Sequence, residues 1–137
     1  MGYRFKHIYL AHAGNNREEG KRIQKELESR GHYVKNPFDH SFIAKFLCDR
    51  WDNEPENRDV ELSIAITDLD KETIDKCDCL VAIVKEPSIG TIMEILYAAQ
   101  TYKTVCILTE LESPWLISHG MIMIEEELYE MVGGNKK

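Results

Sequence analysis

The spacing of apolar positions changes several times along the chain, and each change marks an element. Ile8-Tyr9-Leu10-Ala11 is a short apolar run ending in His12-Ala13-Gly14-Asn15-Asn16. That is the pattern of a strand entering a tight loop. From Asn16 the spacing turns helical, with Ile23 and Leu27 four apart among charges on one buried stripe. Asn16 is placed to cap this helix, with Glu19 three residues on, and Gly31 to end it. His32-Tyr33-Val34 reads as a second strand, closed by Asn36-Pro37. Residues 36–60 are the least regular: Pro37, Trp51, Pro55 and several Asn and Asp separate short apolar patches. So long a stretch predicts a functional loop or lid.

The second half is more regular. Residues 60–78 predict a helix with an imperfect stripe of Leu62, Ile66, Leu69 and Ile74. Cys79-Leu80-Val81-Ala82-Ile83-Val84 is apolar throughout, which suits a strand buried on both faces of a parallel sheet. After the turn Glu86-Pro87-Ser88-Ile89-Gly90, residues 91–102 predict a helix burying Ile92, Ile95, Leu96 and Ala99. A strand over 105–108, a helical turn over 114–117, a short strand over 121–124 and a helix over 125–131 follow. Strand and helix in alternation predict an α/β fold. Its form is a single-domain three-layer sandwich with a mostly parallel central sheet, flavodoxin- or Rossmann-like, over residues 1–132. Residues 133–137 are expected to be a flexible tail.

The chain has 137 residues, 43% hydrophobic and 30% charged, which is the balance of one globular domain. Its 24 acidic and 17 basic residues give a net charge of -7, which argues against a nucleic-acid polymer as partner. No apolar run approaches the ~18 residues of a membrane span, so no membrane partner is expected. Arg4 and Lys6 interrupt the opening segment, so no leader peptide is expected either. Cys48, Cys77, Cys79 and Cys106 lack the spacing of a zinc or redox motif and are expected to be reduced, which places the chain in the cytoplasm. Cys77 and Cys79, one residue apart, are expected on opposite faces.

In an open parallel sheet, ligands collect outside the carboxyl ends of the strands, and this ranks the candidate residues. Glu94 lies a turn past Gly90 among Ile92, Met93, Ile95 and Leu96. A carboxylate there is costly to bury without partners or a role, although a Glu early in a helix also stabilises the helix dipole. Asp70 and Asp78 supply further carboxyl groups, and a pair in one cleft suits acid–base or nucleophilic work on a glycosidic bond. Asp78 also fits a plain cap at the start of the central strand. Tyr9 fits either the core or the cleft. Ser88 and Gly90 make a turn whose amides suit an anion. His12 and His119 read as loop histidines without metal-ligand spacing. No Walker or Gly-x-Gly-x-x-Gly pattern is present, and no metal or cofactor is called for.

Together these residues resemble the nucleoside 2-deoxyribosyltransferase family. Gly90-Thr91-Ile92-Met93-Glu94-Ile95 is similar to that family's Gly-Thr-x-x-Glu-(Ile/Leu) signature, and Ile8-Tyr9-Leu10-Ala11 to its opening strand. Asp70, eight residues before Asp78, falls where the family keeps an active-site aspartate. The resemblance runs over residues 7–132, leaving 40–60 without a counterpart. It implies cleavage of the N-glycosidic bond of a 2'-deoxynucleoside. Glu94 would be the nucleophile at C1', Tyr9 its support, and Asp70 the group that protonates or hydrogen-bonds the departing base. Pro87-Ser88-Ile89-Gly90 resembles more closely the branch that hydrolyses 2'-deoxynucleoside 5'-monophosphates. There Ser88 would touch the 5'-phosphate, and Ser118 would enter the neighbouring subunit's site. Where that branch has a Ser and an Arg in its first loop, this chain has Ala13 and Asn15, with Arg17 an out-of-register substitute. The resemblance thus implies a deoxynucleoside or deoxynucleotide as small-molecule substrate and a homodimer or higher homo-oligomer. Base exchange between deoxynucleosides is the alternative, and a non-catalytic nucleotide-binding module the alternative of another class.

Overall fold

The computed structural model describes residues 6–38 and 42–134, and the backbone alone over 42–44. The strands are β1 (His7–His12), β2 (Tyr33–Lys35), β3 (Cys79–Val84), β4 (Thr104–Thr109) and β5 (Met121–Met123). They form one sheet in the order β2-β1-β3-β4-β5, parallel at every pairing. The helices are α1 (Arg17–Ser29), α2 (Phe42–Asn53), α3 (Val60–Asp75), α4 (Ile89–Gln100), α5 (Pro114–His119) and α6 (Glu125–Val132). This is the flavodoxin-like α/β sandwich that the alternation predicts.

Two cores flank the sheet. Tyr9, Ala11, Leu80, Ala82, Val84 and Ile107 face one side, packed under Ile74 of α3, Ile95 and Ala98 of α4, and Leu116 of α5. Ile8, Leu10, Cys79, Val81, Ile83 and Cys106 face the other, under Ile23 and Leu27 of α1 and Leu128 and Val132 of α6. All six residues of β3 are buried, as its central place requires. Cys77 and Cys79 fall in opposite cores, and all four cysteines are free thiols. Among the described residues no helix is long and apolar enough to cross a membrane.

Several boundaries differ from the sequence expectation, each for a local reason. The stretch read as an irregular loop holds α2, followed by a 3-10 turn at Pro55–Asn57; only residues 39–41 within it lie outside the described residues. Asn16 precedes α1 without capping it. It closes a 3-10 turn over Gly14–Asn16, and its φ of -104° and ψ of 20° are not the extended geometry that aims a cap side chain. Gly31 ends α1 as predicted, at φ 93°. The Gly31 and His32 amides donate back to the Glu28 and Leu27 carbonyls at 3.0 and 3.2 Å, a Schellman motif. α3 stops at Asp75 and is capped at its start by Asp59, whose side chain accepts from the Leu62 amide at 2.8 Å. α4 begins two residues earlier than expected, and buries Thr91, Ile95 and Ala98 most fully. Past α6, the Gly133 carbonyl accepts from Nε2 of the buried His32 at 2.7 Å. The remainder of the expected tail, 135–137, and the opening residues 1–5 lie outside the described residues.

Candidate active site

Three elements bring Tyr9, Asp70 and Glu94 together. β1 carries Tyr9, fully buried, toward the α3/α4 side of the sheet. Its hydroxyl donates to Oε2 of Glu94 on α4, 85 residues away. The same hydroxyl interacts with the Asp70 carboxyl on α3. A phenol has one proton to donate, so it serves two carboxyl groups fully only when one of them is itself protonated and donates back. The electrostatics agree. Burial pushes the Glu94 carboxyl up to about 8, the Asp70 charge adds to this, and the Tyr9 hydrogen bond opposes it. Burial pushes Asp70 up to about 6, again opposed by Tyr9. The Tyr9 hydroxyl is raised by burial and by both carboxylates. The pair therefore shares one proton around neutral pH, and the two values belong to the pair.

Glu94 is not in the first turn of its helix. Ser88 is the N-cap residue of α4 and Ile89 its first, which puts Glu94 in the second turn. The helix dipole acts mainly within the first turn. Dipole stabilisation therefore does not account for a partly buried carboxylate here. Asp78 is structural: its side chain accepts from the His7 amide at 3.0 Å, and its own amide donates to the His7 carbonyl at 2.8 Å. It ties the amino end of β3 to β1, the end of the sheet away from the strand carboxyl ends.

Ala13, Asn15, Ser88 and Gly90 sit in the loop after β1 and at the start of α4, at the carboxyl ends of β1 and β3. Ala13 is half-buried and Asn15 exposed in the β1–α1 connection. Ser88 occupies the N-cap of α4 without its hydroxyl capping the helix. Gly90 is exposed, and a Cβ added to it would meet nothing within 4 Å. Packing thus places no demand for glycine there. Ser118 lies exposed on α5 and bonds locally, to the Trp115 carbonyl at 3.2 Å and to His119 Nδ1 at 2.9 Å. The structure does not bring it to the Tyr9 cluster of its own chain.

The two histidines belong to elements and not to loops. His119 ends α5. His12 ends β1, is buried, and hydrogen-bonds the Ala13 carbonyl at 2.9 Å and Asn36 Oδ1 at 3.1 Å. Its ring lies against Gly20, where a Cβ would come within 2.5 Å of Nε2. Among the described residues no cluster of His, Cys, Asp and Glu could hold a metal ion. A cavity of about 430 Å³ opens elsewhere, at the ends of β3 and β4, lined by residues that include Lys85, Thr109, Glu110 and Glu125. It does not include Tyr9, Asp70 or Glu94. Of the charged residues that line it, Lys85 pairs with Glu19 and Glu125 with Arg22.

α2 is the part of the surroundings that sequence reasoning missed. Ile43, Leu47 and Trp51 stand four apart, with Ala44 and Cys48 beside them, which is a helical stripe. The helix packs on α3. Cys48 lies near enough to Asp70 for that charge, with burial the larger cause, to push its thiol up.

An all-parallel five-stranded sheet with a helical core on each face defines the class, a flavodoxin-like α/β fold. The family model for nucleoside 2-deoxyribosyltransferase matches residues 8–131. The chain belongs to that family of nucleoside-processing enzymes. Comparison of the sequence with curated proteins finds no match. Among solved structures, the chain is similar to a 2-deoxyribosyltransferase from Bacillus psychrosaccharolyticus, with a TM-score of 0.64 and 19% identity over 96% of this chain and 98% of that one. It is also similar to a CMP N-glycosidase from Clostridium botulinum, with a TM-score of 0.55 and 23% identity over 92% of this chain and 96% of that one.

Proposed function

We propose that the chain cleaves the N-glycosidic bond of a 2'-deoxynucleoside 5'-monophosphate, using Glu94 as nucleophile and water as acceptor. The observation that carries this reading is the Tyr9 hydroxyl set between the Asp70 and Glu94 carboxyl groups, both of which burial pushes up. The higher value of Glu94 leaves the shared proton mostly on Glu94 at rest; in the productive form it has passed by way of the Tyr9 hydroxyl to Asp70, and Glu94 is ionised and held by Tyr9. Glu94 attacks C1' and forms an ester bond to it. The C1'–N bond breaks, its electron pair leaves with the base, and Asp70 delivers its proton to the base. A carboxylate beside C1' stabilises the oxocarbenium-like transition state before trapping it. Water then attacks C1', Asp70 takes its proton, and Glu94 leaves as carboxylate. This restores the starting state.

Ser88 and the amides of Ile89 and Gly90 are the proposed contacts for the 5'-phosphate, with Ala13 and Asn15 lining the loop opposite. An uncapped N-cap hydroxyl and a glycine that packing does not require both favour close approach of a ligand. The proposed active unit is a homodimer in which Ser118 of one chain completes the site of the other. Its support is the apolar surface on α4 and α5, where Ile89, Met93, Trp115 and Ile117 are exposed. The test is release of free base from deoxynucleoside monophosphates by the purified chain, without added acceptor. Product formed only when a second base is present would mean base exchange instead. No product with either acceptor would leave only a binding role.

A further inference from the structure

A continuous line of contacts leads from the end of β1 to α2. It starts at the buried His12, for which α1 makes room with a glycine inside the helix: a Cβ at Gly20 would stand 2.5 Å from Nε2 and 2.7 Å from Cδ2. Glycine weakens a helix interior, so its place under the ring marks a demand for the ring. His12 Nε2 hydrogen-bonds Asn36 Oδ1 at 3.1 Å, and the same oxygen accepts from the Phe38 amide at 3.1 Å. The Phe38 ring stacks on the imidazole, with centroids 4.8 Å apart. The Arg17 guanidinium lies 4.6 Å from the Phe38 centroid and pairs with Asp52 on α2, Nη2 to Oδ2 at 3.6 Å. α2 packs in turn on α3, which carries Asp70. Cys48, one turn before Asp52, lies where the Asp70 charge reaches its thiol.

We propose that His12, Phe38 and Arg17 are positioning residues for the carboxyl pair: they seat α2 on α3 beside Asp70, and the seated helix keeps water from that carboxyl group. The inference rests on the reading of Asp70 as the acid and adds what holds its surroundings in place. Among the described residues, α2 places no side chain in either core, so its seat depends on contacts outside them. Asp70 is half-buried, and burial is the cause that pushes its carboxyl from an ordinary 3.8 up to about 6. The titratable groups that face it are Tyr9 from β1, Glu94 from α4 and Cys48 from α2, with Asp49 and Asp52 farther along α2. β1, α3 and α4 are fixed by the shared core. α2 is the neighbour whose place can change without unfolding the sheet.

The test is hydrogen exchange of the whole chain, resolved by peptide, in Phe38→Leu, Asp52→Asn and the double variant, beside the pH profile of kcat/KM for base release. Phe38 is half-buried and Asp52 half exposed, and neither belongs to a core, so both variants keep the sheet. Phe38→Leu removes a ring stack and a cation–π contact, and should speed exchange of the α2 amides by about ten-fold. Asp52→Asn should speed it by about two- to five-fold. The double variant should exchange no faster than Phe38→Leu, because the contacts act in series. Exchange in β3 and α6 should not change. In Phe38→Leu the acid limb of the pH profile should move from about 6 toward the ordinary carboxyl value, as water reaches Asp70. Unchanged exchange of α2 in Phe38→Leu would overturn the inference, and so would additive effects in the double variant. Faster exchange of α2 with an unmoved acid limb would also overturn it, since α2 would then shield nothing at Asp70. A parent that releases no base with any acceptor would overturn the proposed function instead, and the exchange data would then decide the seating of α2 alone.

Discussion

The Tyr9, Asp70 and Glu94 side chains act as one titrating unit, and the proposed chemistry needs that unit with a single proton. Below about 6 both carboxyl groups are protonated and the nucleophile is lost. Above about 8 both are ionised and the departing base has no acid. The pH profile of kcat/KM should therefore be a bell with its plateau between those values, and a flat profile from pH 5 to 9 would contradict it. Stability carries the opposite trace. Glu94 is raised in the folded state from an ordinary value of 4.5. Its contribution to stability is thus intact below that value and lost as pH rises through about 8. Glu94→Gln should be more stable than the parent at pH 8.5, on the order of 2 kcal/mol after discounting for partial exposure, or roughly 5 °C in Tm. By pH 4 the difference should vanish. Thermal unfolding at the two pH values reads this directly, and a variant less stable than the parent at pH 8.5 would contradict it.

At the scale of elements, α4 carries both the proposed nucleophile and the proposed phosphate turn. Gly90 is its second residue, and a methyl group there has open space in the structure. Gly90→Ala should raise stability by about 0.5–1 kcal/mol, since alanine gains helix propensity and loses less entropy on folding. It should also lower kcat/KM for the monophosphate, because the methyl group occupies the path of the ligand to the backbone. Stability and activity rising together would show that the glycine serves no ligand. The start of α4 was misplaced in the sequence by two residues, because the Gly90 that looks like a turn residue sits inside the helix. The clean signals were those of a single physical cause: the unbroken apolar run of β3, buried on both faces, and Gly31, whose positive φ stops α1. α2 failed that test. Its stripe of Ile43, Leu47 and Trp51 was masked by Asp49, Asp52 and Asn53 and by flanking prolines, which read locally as loop.

At the scale of the whole molecule, the carboxyl pair was legible because α3 and α4, which carry Asp70 and Glu94, pack on the side of the sheet that Tyr9 faces. The resemblance ranked them, and the structure joins them through Tyr9. Asp78 was a weaker choice for a reason that topology explains: it opens β3 at the far end of the sheet and holds the His7 backbone. The same whole-molecule view exposes Met93, Trp115 and Ile117 on neighbouring helices, more apolar surface than a solvated α4/α5 face needs. Sedimentation should give a dimer for the parent and a monomer of reduced activity for Met93→Glu. A fully active monomer at assay concentrations would remove the partner chain, and with it the role of Ser118.

In the proposed reaction Glu94 forms the covalent bond to C1'. Its most direct measurement is base release from deoxynucleoside monophosphates by parent and Glu94→Ala, with rapid-quench mass spectrometry of the parent. Loss of the nucleophile should lower turnover by several orders of magnitude, and the quenched parent should carry the deoxyribosyl phosphate on the peptide that contains Glu94. A Glu94→Ala chain that releases base at the parent's rate, or a sugar adduct on any other residue, would contradict it.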